Sequence, residues 1–159
     1  LNKGWIGYSL TNRRECPRIM YEVPCASSCG MMISRALMDE VGGRFPQKYA
    51  YGGGENFMNF VLATMGKKKW MFTDGYLRHQ GMARDYHYTW DGLVWNRCAA
   101  MYMVGGSELA ARYIEHCKGR PTTLRAILED VVEACANQRE LIKGKQVVDI
   151  HEWVKKWEG

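Results

Sequence analysis

The sequence has no run of about 18 apolar residues, so nothing in it reads as a membrane span. No secretory leader pattern is visible either, and the expected location is cytoplasmic. Six cysteines, at 16, 25, 29, 98, 117 and 135, are thinly spread. None forms a Cys-x2-Cys pair. Cys25 and Cys29 stand four apart, and no second Cys/His pair follows at zinc-finger spacing. They read as reduced thiols, mostly filling core. The two-His helix spacing of zinc hydrolases is missing as well, which counts against a small hydrolase built on His79, His87 and Glu55. There is no internal repeat and no low-complexity tract. Nor is there a long block of one charge. The net charge of +5 is scattered, with small clusters at Arg13-Arg14, Lys67-Lys68-Lys69 and Lys155-Lys156. That is a mild bias toward anionic partners, and solvated surface is the simpler reading of each cluster.

What is present is enough apolar and aromatic material for one domain. The 159 residues are 47% hydrophobic, with six Trp and nine Tyr, a composition that excludes intrinsic disorder. Short strands are expected at 5–10, 19–23, 31–33, 68–72 and 76–79. Ser34 is placed to cap a helix that reaches Val41 and ends at Gly42-Gly43. From Asp91 the pattern is helical, over 92–103, 107–117, 122–142 and 149–157, with Gly105-Gly106, Gly119-Arg120-Pro121 and Gly144 as breaks. In the long helix Leu124, Ile127, Leu128, Val131, Val132 and Cys135 keep the 3.6-residue period. The composition therefore divides the chain into a glycine-rich α/β part, 1–90, and a helical extension, 91–159.

The most distinctive stretch is Tyr51-Gly52-Gly53-Gly54-Glu55-Asn56. Three glycines allow positive φ and a close approach to the backbone. Phe57, Phe60, Val61 and Thr64 then mark one face of a helix, and Gly66 stops it. Glu55 and Asn56 fall in its first turn, where free N–H groups and the positive dipole end favour anions. The plainer alternative is a tight turn with an acid that only stabilises the helix. His79 follows a strand, a good position for a metal-binding imidazole, although most such histidines are simply hydrogen-bonded. The loop 80–90 is polar, aromatic and without clear period.

The ordered series Gly30 to Gly43, Tyr51 to Asn56, Gly66 and Leu77-Arg78-His79 resembles the acceptor-side half of a GT-A-fold glycosyltransferase. It is similar to family-two enzymes and to the polypeptide N-acetylgalactosaminyltransferases. The likeness covers residues 25–82. It implies an α/β, Rossmann-like fold in the first part of the chain. It also implies metal-dependent transfer of a sugar from a UDP-sugar donor to an acceptor hydroxyl, with Mn²⁺ or Mg²⁺ neutralising the departing diphosphate. On this resemblance His79 matches the metal ligand and Glu55 the acid contacting donor sugar or acceptor. Asn56 stands beside it as a catalytic-position residue. Gly52, Gly53 and Gly54 would admit the sugar, and Tyr86 and His87 would lie in the loop over the substrates.

Two departures qualify the resemblance. Inverting members place an Asp after the Glu as base, whereas this chain has Asn56. Either Glu55 is the base, or the reaction is retaining and the leaving phosphate takes the proton. Asp74 and Asp85 are other nearby carboxylates. An Asp-x-Asp motif is also missing, and with it the nucleotide-binding half. With Leu1 rather than Met at the start, the expectation is a fragment of a longer catalytic domain. The acceptor stays open among glycan, protein and nucleic acid. The competing reading is a non-enzymatic nucleic-acid or protein interaction module with a basic face. It leaves the Gly-Gly-Gly-Glu-Asn series unexplained.

Overall fold

A computed structural model of the protein describes residues 20–27, 30–43, 45–72 and 87–157. Within them the chain forms a short strand β1 (Met20–Val23), a short helix α1 (Arg35–Glu40) and a helix α2 (Gly54–Thr64). A second strand β2 (Lys69–Phe72) and three further helices follow, α3 (Trp90–Glu115), α4 (Pro121–Lys143) and α5 (Ile150–Lys156). The expected α/β, Rossmann-like architecture is not what forms. Of the described residues 60% are helical, and the strands make one two-stranded antiparallel sheet. Met20 pairs with Phe72 and Val23 with Lys69. The expected strand at 31–33 is irregular backbone, and Met32 is 89% exposed. A three-residue apolar run has no helix or strand period of its own, and among the described residues no strand pairs with it. The expected strands at 5–10 and 76–79 lie outside the described residues.

The core is helix on helix. Phe57, Phe60 and Val61 of α2 meet Val94, Cys98 and Met101 of α3, and α4 adds Leu124, Ile127, Val131 and Cys135. These last four follow the period read from the sequence, while Leu128 and Val132 of the same stripe are half-buried. Cys98 and Cys135 are buried free thiols, and Cys25 and Cys117 are half-buried free thiols. No described helix is long and apolar enough to cross a membrane.

The local punctuation follows residue chemistry. Ser34 Oγ accepts from the Leu37 N–H at 3.2 Å and caps α1, as expected. Gly42 and Gly66 follow the helix ends with φ of 83° and 71°, the left-handed conformation that glycine adopts without strain. The break expected at Gly105-Gly106 is a kink inside α3, where Gly106 has φ 65° and ψ −160°. A Cβ on Gly105 would stand 2.5 Å from that of Leu109.

The kink interrupts the helical ladder, and later residues take up carbonyls beside it. Arg139 Nη1 donates to the Met103 carbonyl at 2.8 Å, and Gln146 Nε2 donates to the Val104 carbonyl at 2.9 Å. Gln146 also donates to Thr64 Oγ1 on α2 and accepts from Arg139. Its carboxamide thus joins α2, α3 and α4. Gln146→Ala is expected to lower unfolding free energy by about 2 kcal/mol, since it leaves a partly buried carbonyl without its donor. Urea denaturation of the variant beside the parent chain measures this, with an unchanged m-value expected.

Candidate functional site

The glycine bend lies against the first two turns of α3. Gly52 and Gly53 have φ of 93° and 80°. A Cβ on Gly52 would meet Leu93 Cδ1 at 2.3 Å, and one on Gly53 would meet the Asn96 carbonyl oxygen at 2.3 Å. Around Gly54 there is open space. So the backbone approach that the first two glycines permit is to a helix of the same chain. Asn96 is fully buried and fixes the loop that leads in. Its Nδ2 donates to the Tyr49 and Tyr51 carbonyls, both at 2.8 Å, and its Oδ1 accepts from the Tyr49 N–H at 3.3 Å.

Beyond the bend, α2 starts with Glu55 in its first turn. The Glu55 side chain is half-buried, and Ser27 Oγ donates to its Oε1 at 3.2 Å. Ser27 belongs to the small-residue segment after β1, so the chain brings positions 27 and 55 into one contact. One turn along, Asn59 is fully buried. It accepts from the Ala26 N–H at 2.8 Å, and its Nδ2 donates to the Ala26 carbonyl at 2.8 Å and to the Glu55 carbonyl at 2.9 Å. The carboxamide imitates a strand partner for Ala26. All its donors and its acceptor are occupied, as burial demands. Asn56 is half-buried beside Glu55.

Under α2 lies Lys69, 9% exposed, on the inward face of the sheet beside Val23. Its Nζ donates to the Asn59 carbonyl at 3.1 Å and sits 5.0 Å from the centre of the Trp153 ring. Burial pulls its pKa down to about 8 from 10.5, with Cys25 and Glu22 opposing the shift. Burial likewise pushes the Cys25 thiol up to about 11. The other members of the lysine run are paired, the half-buried Lys67 with Glu40 at 3.0 Å and the exposed Lys68 with Glu22 at 3.5 Å. The run therefore presents no unopposed basic face.

Of the other residues singled out in the sequence, His87 is exposed at the approach to α3. His79, Tyr86, Asp74 and Asp85 lie outside the described residues. Among the described residues no three His, Cys, Asp or Glu side chains converge to hold a metal ion. The sequence reading missed Asn59, Asn96 and Lys69. The two asparagines had a signal, since each interrupts an apolar helix stripe at a core-facing position. Lys69 was hidden by its two lysine neighbours.

No protein-family model, curated protein or solved structure matches the chain.

Two predictions follow from the packing and the buried charge. Gly53→Ala must accept positive φ and a clash with the Asn96 carbonyl, and is expected to destabilise by more than about 2 kcal/mol. Gly54→Ala, with open space, is expected to be neutral or stabilising by about 0.5 kcal/mol. Thermal unfolding of the pair tests that opposition of sign. For Lys69 the folded pKa lies below the unfolded one, so the unfolded state holds the proton longer and stability rises with pH between the two values. Relative to Lys69→Met, the parent chain is expected to gain about 1 kcal/mol between about pH 7.5 and about pH 9. Above that range the raised Cys25 thiol acts in the opposite direction.

Proposed function

We propose that Glu55 is the acceptor-side carboxylate of a nucleotide-sugar-dependent glycosyltransferase, and that this chain supplies the part of the enzyme that faces the acceptor. The observation that carries the proposal is the 3.2 Å hydrogen bond from Ser27 Oγ to Glu55 Oε1 at the start of α2. It unites Ser27, within the span 25–82 over which the sequence resembles such enzymes, with the Gly-Gly-Gly-Glu-Asn turn. Ser27 orients the carboxylate, the Asn59 clamp on Ala26 holds Ser27 in place, and the first turn of α2 sets a positive dipole end beside it. A carboxylate so held can receive a hydrogen bond from an acceptor hydroxyl and take its proton as the new glycosidic bond forms. Asn56, one residue on, offers an amide for orienting a sugar hydroxyl. The proposal does not depend on a Rossmann-like fold in this chain.

The donor is proposed to be a UDP-sugar and the metal Mn²⁺ or Mg²⁺. The metal would be held by groups outside the described residues, with His79 at the position the resemblance assigns. When bound, it would stabilise the negative charge of the departing diphosphate. The test is sugar transfer by the full-length protein, assayed with and without Mn²⁺. Glu55→Ala and Glu55→Gln are expected to lower kcat by about 100-fold or more with the helical circular dichroism unchanged. Undiminished transfer by both variants would remove Glu55 from the reaction.

A further inference from the structure

We draw no further inference here: the strongest candidate, the surface patch of exposed cations Arg97, Lys118 and Arg120 along α3 and the turn into α4, is mixed with the exposed carboxylates Asp91 and Glu115, and nothing in the structure shows what covers it.

Discussion

Two buried side-chain amides set the geometry on which the rest of the proposed site depends. Asn59 on α2 and Asn96 on α3 each turn a carboxamide out of a helix and onto the backbone of a loop. A loop packed against apolar helices must place its peptide groups somewhere, and each unpartnered group costs about 1–3 kcal/mol. A carboxamide answers that need with donors and an acceptor in one plane. Asn59 fixes the segment carrying Ser27, and Asn96 fixes the segment carrying Tyr49 and Tyr51. Glu55 accepts from Ser27 of the first segment and follows Tyr51 of the second by four positions, so both segments bear on its surroundings.

The glycine bend makes this arrangement possible. At Gly52 and Gly53 the absent side chain lets the loop lie on Leu93 and on the Asn96 carbonyl, and the positive φ turns the chain directly into α2. A motif that looks suited to admitting a ligand thus has a packing role at two of its three glycines. Gly54 alone has room around it. The small sheet has a lesser part. It contributes Val23 to the buried interior, and through Lys69 it places a cation beneath α2. A two-stranded sheet has little independent stability, and the helices carry the core.

Much of the helical outline was legible because its signals are local. A serine hydroxyl at Ser34, positive-φ glycines at 42 and 66, and the double glycine at 105–106 act through their own backbone conformations, which neighbours do not alter. The stripe on α4 was legible because it is long and regular. The short runs were not. Met31-Met32-Ile33 has the composition of a strand and no strand partner among the described residues, and pairing is a tertiary fact that three residues do not encode. The α/β expectation came from the resemblance and from such runs, and it failed with them. In the site, Glu55 could be placed at a helix start from sequence alone. Its neighbour Ser27 could not, since their contact spans 28 positions. The role of Lys69 was illegible for a different reason: it ends a run of three identical residues, which conceals which one points inward.

The kink in α3 has a consequence for how the chain comes into being. The groups that bind the carbonyls beside it lie 36 and 42 positions further on, at Arg139 and Gln146. Synthesis runs from the N-terminus, so the first arm of α3 emerges from the ribosome well before either partner exists. Until then the Met103 and Val104 carbonyls depend on water, and the two arms of the helix have nothing to fix their angle. The native surroundings of the kink in the central helix therefore include groups that only the C-terminal part of the chain supplies.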